Sequence, residues 1–134
     1  LSTKTYDPKN VKVIVDGTIL TGFADGTFVQ CTKNTETNTM HVGAQGEVDF
    51  VQSADETGQI TVTLKHTSPS NAALVKKARA KDPFAVSVVD RNDGKMTAGG
   101  TQCKIQKLPD TERSDEISSM EWVFLVADYD VSVK

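Results

Sequence analysis

From Gln59 to His66 the chain reads QITVTLKH, which puts Ile60, Val62, Leu64 and His66 on one side of an extended backbone and Thr61, Thr63 and Lys65 on the other. A period of two fits a strand with one apolar and one wet face, so a sheet is the first constraint on the fold. The surrounding stretch, Met40 to Ala73, adds a glycine-punctuated turn (GAQG, Gly43 to Gly46) and a second alternating segment, Glu47 to Gln52. In that segment Val48 and Phe50 oppose Glu47 and Asp49, and the charged turn SADETG (Ser53 to Gly58) is expected to join it to the first strand as a two-stranded unit.

After His66 the period changes to about 3.6. Ser68 can cap a helix and Pro69 suits its first turn; Leu74, Val75 and Ala78 form one stripe, and Asp82 before Pro83 ends it. About three turns of helix are unstable alone, so this one should lie on the sheet.

Upstream, Leu1 to Asn10 is polar and aperiodic, an expected arm. Val11, Val13 and Val15 alternate, and Asp16 and Gly17 form a type I′ hairpin pair that returns the chain through Thr18, Ile19 and Leu20. Thr27 to Lys33 reads as a third strand. Lys33 to Thr39 (KNTETNT) has no apolar residue, so a solvent-facing loop or hairpin tip is expected, ordered only against a partner.

Downstream, Phe84 to Val89 is a strand, Arg91 to Gly94 a turn, and Gly99 with Gly100 marks a bend or bulge before Cys103 and Ile105. Leu108 to Asp115 is a loop by composition. Ile117 to Val126 is the last long strand, and Tyr129, Val131 and Val133 continue its alternation. The expected core is Met120, Trp122, Phe124 and Val126 with Ile60, Val62 and Leu64.

The sum is seven to nine strands and one helix, a mainly β chain folded as an antiparallel β-sandwich or partly closed barrel with one flanking α-helix. A length of 134 residues at 37% hydrophobic content suits a single domain over residues 1–134, with 1–10 as the arm and 33–39 as an exposed loop.

The net charge of −3 disfavours a sequence-specific DNA-binding module. Charge is segregated, however. Asp110, Glu112, Asp115, Glu116, Glu121, Asp128 and Asp130 face one base, Arg113, in their segment, while Lys76, Lys77, Arg79 and Lys81 cluster on the helix. Two solvated faces or a surface complementary to another copy would both explain this. No apolar run approaches the roughly 18 residues of a membrane span, and the start lacks a signal-peptide core, so synthesis and use in the cytosol are expected. Leu1 is not an initiator methionine, which suggests a processed or trimmed start. Cys31 and Cys103 lack metal or dithiol spacing and are expected to be free in a reducing compartment, with a disulfide, within one chain or between copies, as the alternative if the assembled product leaves the cell.

Residues for catalysis, cofactor binding or metal binding do not emerge. His41 and His66 have no ligand-type neighbours at the required spacing, and His66 is expected simply to end a strand. Glu47 and Asp49 share a wet strand face, where carboxylates are commonly just solvated. GAQG is followed by no helix and no Lys-Ser or Lys-Thr pair, so it is a turn rather than a phosphate cradle. An enzyme is not expected.

Three linked segments, TYDPKNVKVIVDGTILTGFADGTFVQ (Thr5 to Gln30), HVGAQGEVDF (His41 to Phe50) and GQITVTLKHTSPSNAAL (Gly58 to Leu74), resemble the tail-tube proteins of contractile-tailed bacteriophages. IQKLPD (Ile105 to Asp110) and EWVFLVA (Glu121 to Ala127) are weaker echoes. The resemblance implies a tail-tube fold and a structural role, with hexameric rings stacking into a hollow tube through which double-stranded DNA passes. It also implies a location in the virion tail, assembly in the bacterial host cytoplasm, and sheath, tape-measure, baseplate and tail-terminator proteins as partners. Glu47, Asp49, Thr61 and Thr63 are then candidates for the lumen wall, where acidic groups would repel phosphates. Gly43, Gly46, Lys33, Asn34 and Glu36 are candidates for contacts between subunits. A tube protein of a phage-derived injection machine, a tailocin or type VI secretion system, is the near alternative. A small-ligand-binding β-barrel is the distant one and would need a buried apolar pocket.

Overall fold

In the computed structural model, which describes residues 3–133, the strands that alternate in sequence wrap around one apolar core. Leu1 and Ser2, part of the expected arm, lie outside the described residues. The elements in order are β1 (Val11–Val15), β2 (Thr18–Ile19), β3 (Val29–Lys33), β4 (Asn38–Val42), β5 (Val48–Gln52), β6 (Gly58–Lys65), α1 (Ser70–Arg79), β7 (Phe84–Asp90), β8 (Met96–Ile105), β9 (Ser119–Val126) and β10 (Asp130–Val133).

The main sheet runs β2-β1-β7-β8-β9-β6-β3, with β10 also on β8. Every pairing is antiparallel. β8 is long enough to serve two partners along one edge: Met96–Gly99 pairs with β10, and Cys103–Ile105 pairs with β9. The chain leaving β2 bridges the two ends of the sheet. Thr18 and Ile19 pair with β1, whereas Phe23 bridges Leu64, and Gly22 O and Phe28 O accept from Lys65 N and Thr63 N of β6. This bridging segment makes the curled sheet a partly closed barrel, one of the two antiparallel forms expected from the sequence.

The inward faces are those the periodicity marks. Val13, Val15, Ile60, Val62, Leu64, Trp122, Phe124 and Val126 are buried together, with Phe84 edge-on to Phe124 at a ring separation of 6.3 Å. All seven expected core residues are in this cluster. The helix adds Leu74, while Val75 and Ala78 pack at its margin. Its start follows the expected logic in a modified form: Pro69 is the residue at the cap position, and Ser68 Oγ accepts the Ser70 N–H at 3.2 Å while donating to Thr21 O. The helix ends at Arg79, three residues before Asp82. Its basic last turn suits the negative end of the helix dipole, and Lys77 pairs with Asp16 and lies over the Phe84 ring.

Local signals were accurate at turns. Asp16 (φ 49°) and Gly17 (φ 82°) both take the positive φ of a type I′ turn, and the Gly99–Gly100 region coincides with a register shift between β7 and β8. The expected N-terminal arm ends in a short 3-10 turn, Pro8–Asn10, tied down by Asn92, which accepts from Asp7 N and donates to Asp7 O. The third and ninth strands begin two residues later than expected, at Val29 and Ser119.

The expected pairing of the Glu47–Gln52 and Gln59–His66 segments is overturned. β5 and β6 do not pair: β5 pairs with β4 in a separate two-stranded sheet, whereas β6 sits between β3 and β9. The physical reason is local. The GAQG turn directly connects Val42 to Val48, so the nearest antiparallel partner for β5 is the segment before the turn, part of which reads as a loop from its polarity. Strand pairing satisfies the backbone there without burying side chains.

Candidate assembly surfaces

The excursion between β3 and β6 carries much of what the core leaves outside. β4 and β5 pair Asn38↔Gln52, Thr39↔Val51, Met40↔Phe50, His41↔Asp49 and Val42↔Val48. Directly opposed residues share a face, so Met40, Val42, Val48 and Phe50 form one apolar stripe, with His41, Asp49 and Val51 on the reverse. All four stripe residues are exposed, Phe50 at 74% and Met40 at 60%. An isolated two-stranded hairpin is marginal in water, and one that shows its apolar face to solvent lacks a partner.

Hydrogen bonds at the root hold the hairpin without a partner. Asp55 accepts from Thr35 Oγ1, Thr57 Oγ1 and Thr57 N, Asn34 Nδ2 donates to Thr57 Oγ1 at 2.9 Å, and Ser53 N donates to Thr37 O at 2.8 Å. The hydroxyl of Thr35, then the hydroxyl and the backbone N–H of Thr57, hold the Asp55 carboxyl down at about 2. The expectation that residues 33–39 order only against a partner is therefore corrected: the segment is exposed but internally bonded, and Asn38 and Thr39 belong to β4. At the other end Gly46 N donates to Gly43 O, and Gly46 takes φ +88°, closing the tip.

The sequence-derived candidates fall at different places on this framework. Gly43 and Gly46 are at the hairpin tip, while Lys33, Asn34 and Glu36 are at its root. Glu47 and Asp49 lie on the hairpin, away from Thr61 and Thr63, which occupy the outward face of β6 opposite Val123 and Glu121 of β9. The four lumen candidates thus do not share one sheet. The apolar stripe was missed in the sequence because Met40 and Val42 lie beyond a polar run that reads as loop; its signal was the alternation continuing on both sides of GAQG.

A second apolar feature opens on the outward side of the barrel. Pro83, Leu125, Val126 and Ala127, with Gln102, Lys104, Gly58, Asn34 and Thr57, line an open groove of about 610 Å³. Leu125 is 40% exposed there. Nearby, Asp128 closes the bend between β9 and β10 by accepting from Thr101 Oγ1 at 2.6 Å, Thr101 N and Gln102 N, which hold its carboxyl at about 2. Charge is segregated in space as in sequence: the exposed 110–116 loop is acidic, and the last turn of α1 is basic.

Among the described residues, every buried side-chain nitrogen and oxygen has a hydrogen-bond partner. His66, one residue past β6, accepts at Nδ1 from Ser118 N at 3.1 Å. Both cysteines are free; burial pushes the Cys31 thiol up to about 11 and raises that of Cys103. Among the described residues there is no cluster of three His, Cys, Asp or Glu that could hold a metal ion. No described helix is long and apolar enough to cross a membrane.

The curled antiparallel barrel with one helix is shared with chains of solved contractile injection and virion particles. One chain of the sheath/tube terminator of an extracellular contractile injection system, PVC, in its extended state matches with a TM-score of 0.68 at 10% identity, over 98% of this chain and 99% of that one. A chain of the PVC sheath-tube complex matches at 0.65 and 10% identity, over 97% and 93% of the two chains. A chain of the native gene transfer agent virion gives 0.69 at 12% identity, over 97% and 99%. At such identities these likenesses establish the fold alone.

Sequence similarity carries the assignment further. Structural protein ORF10 of Pseudomonas phage KPP10 is 26% identical over 133 residues, covering 90% of this chain and 77% of that protein. The model of the bacteriophage PhiTE tail tube protein family matches residues 15–133, and the chain belongs to that family. It is a structural protein of a phage tail tube, not an enzyme.

Proposed function

We propose that copies of this chain form hexameric rings that stack into the hollow tube of a contractile phage tail, the conduit for double-stranded DNA at ejection. The observation that carries this reading is that the barrel completes its core without the β4–β5 hairpin, leaving an ordered apolar stripe that nothing among the described residues covers. The outer edge of β3 is likewise open, and a polymerising protein can use such an edge to continue its sheet into a neighbour. Contacts between a hairpin on one copy and a different surface on the next are heterologous, so they close rings or propagate filaments.

The polar outward face of β6, with Thr61 and Thr63 beside Glu121, supplies the wet wall of the lumen, and Glu47 and Asp49 add acidic groups from the hairpin. Acidic and hydroxyl groups there let phosphates slide without sticking. Gly43 and Gly46 at the tip, with Lys33, Asn34 and Glu36 at the root, meet neighbouring subunits. Sheath, tape-measure, baseplate and tail-terminator proteins are its partners, and assembly takes place in the cytoplasm of the bacterial host before the virion is released.

Negative-stain microscopy of the concentrated protein tests this: stacked rings with a central channel are expected, and a monomer at every concentration, with no labelled tube in native particles, overturns it. A tube protein of a phage-derived injection machine is the second reading, favoured by the fold shared with the PVC particle. A barrel for small ligands is disfavoured because Trp122, Phe124, Ile60 and Leu64 fill the interior where such a barrel keeps its pocket.

A further inference from the structure

We infer that Tyr129 is a positioning residue for the β4–β5 hairpin: its ring, wedged against the backbone of Gly58, is the stop that fixes the angle at which the hairpin leaves the barrel, and the bend that carries the ring couples the C-terminal strand β10 to the hairpin. The inference concerns the single chain and does not rest on the tube reading.

The bonding pattern locates a pivot. The legs of the hairpin grow out of β3 and β6, whose last pair is Lys33↔Gly58. The Asp55 clasp, the Asn34–Thr57 bond and the Ser53–Thr37 bond each join one leg to the other, so they stiffen the hairpin without tying it to the barrel. A two-stranded ribbon leaving a sheet can twist and tilt about its exit point unless a third element braces it. The bend after β9 supplies that brace. Tyr129 N donates to Glu56 O at 3.0 Å, and the Tyr129 side chain occupies the space of an absent one at position 58, where a Cβ would overlap Cβ and Cγ of the tyrosine. Gly58 is not at positive φ, so its backbone accepts any residue, and the missing side chain there serves the approach of the ring.

The wedge is held from both ends. Asp128, one residue earlier, is clasped by Thr101 and Gln102 of β8, and Asp130, one residue later, opens β10 opposite Gly99. The half-buried ring packs on the margin of the core. Burial raises the Tyr129 phenol above the usual tyrosine value and Cys31 of β3 is the next cause, so the ring lies near both strands that become the hairpin legs. β10 is exposed along its whole length and pairs with Met96–Gly99 of β8. Peeling β10 away withdraws the stop, and a hairpin driven out of position presses on the bend, the reciprocity that coupling between two elements demands. Residues 46–58 span at most about 40 Å at roughly 3.3 Å each, so a tilt of about 10° at the root moves the tip by up to about 7 Å.

Pulsed electron resonance on the dilute monomer reads this angle. Nitroxides carried on keto amino acids at Gln45 of the tip and Ala73 of the helix, both exposed, leave Cys31 and Cys103 untouched. One narrow distance distribution is expected for the labelled chain and for Tyr129→Phe, which keeps the ring. Tyr129→Ala should broaden or shift it by several ångström while circular dichroism still reports the barrel. Gly58→Ala should shift it as well, because rotating the ring cannot relieve an overlap at Cβ and Cγ, and should add nothing to Tyr129→Ala, where the methyl enters vacated space. Deletion of residues 130–134 should broaden it as Tyr129→Ala does. An unchanged distribution in Tyr129→Ala overturns the positioning role; so does an unchanged one in Gly58→Ala, which decides the matter if Tyr129→Ala does not fold. An unchanged distribution in the truncated chain overturns the coupling to β10. Tube formation, read separately by microscopy, is not altered as a test by any of these results.

Discussion

The indole of Trp122 donates a 3.0 Å hydrogen bond to Oδ1 of Asn71, both side chains being buried. The amide nitrogen of Asn71 in turn donates to the carbonyls of Lys65 at 2.9 Å and His66 at 3.3 Å. One side chain thus joins the helix, the centre of β9 and the end of β6, and meets the polar demand of the largest core residue. Asn71→Ala leaves the indole N–H without its partner and frees two strand-end carbonyls. The expected loss is about 2–4 kcal/mol, given roughly 1–3 kcal/mol for each buried polar group left unpaired. Urea unfolding checks it: the midpoint falls and the slope stays constant.

Phe124 packs edge-on to Phe84 at the centre of the cluster and is fully buried. Phe124→Ala should cost about 3–5 kcal/mol, the usual penalty for an emptied aromatic site. Calorimetry of the monomer reads it directly. Phe50, an aromatic of the same size at 74% exposure, stands outside that cluster and contributes no such burial.

Backbone shape gives a third expectation. Gly99 takes φ +140°, and a Cβ there would run into the Val86 carbonyl beside the register shift of β7 and β8. Gly94 also has positive φ but faces open space. Gly99→Ala should therefore destabilise by about 1–3 kcal/mol, and Gly94→Ala by less. Equal midpoints for the two variants in parallel urea titrations would show that the close approach to Val86 carries no cost.

Acid should loosen two clasps together. The side-chain hydroxyls of Thr101 on Asp128 and of Thr35 on Asp55 hold both carboxyls at about 2, below the roughly 3.9 of an unfolded aspartate. A depressed folded pKa means that the stabilisation is complete above the unfolded value and is lost as pH falls from about 4 towards 2. Both groups lie at the surface, so the effect is a modest steepening of the acid limb. Asp128→Asn cannot titrate at this position; its melting temperature should fall less than that of the unaltered chain between pH 4 and pH 2.5. A parallel fall would place the acid sensitivity elsewhere.

Much of the barrel was legible because burial writes itself as alternation. The inward positions of β1, β6 and β9 follow the period of two, and the Asp16–Gly17 turn follows from the conformations those residues tolerate. The hairpin was harder to read. Its β4 strand begins in a polar run, and its hydrophobic residues face outward, so the usual inference from apolar periodicity to the core fails at Met40, Val42, Val48 and Phe50. Pairing of β5 with β4 instead of β6 is likewise decided by turn length and backbone hydrogen bonding, to which side-chain pattern is blind. The groove at Leu125 depends on Pro83 and Ala127 meeting across distant segments, a proximity with no local signature.

The Asp55 clasp bears on how fast a polymer of this chain can lengthen. In the assembly proposed above, a hairpin stitched at its root would arrive at a growing end already shaped, so its capture would sacrifice rigid-body freedom but little chain entropy. Elongation would then be an orientation-limited encounter whose speed rises in proportion to the free subunit concentration, without a folding step to set a ceiling.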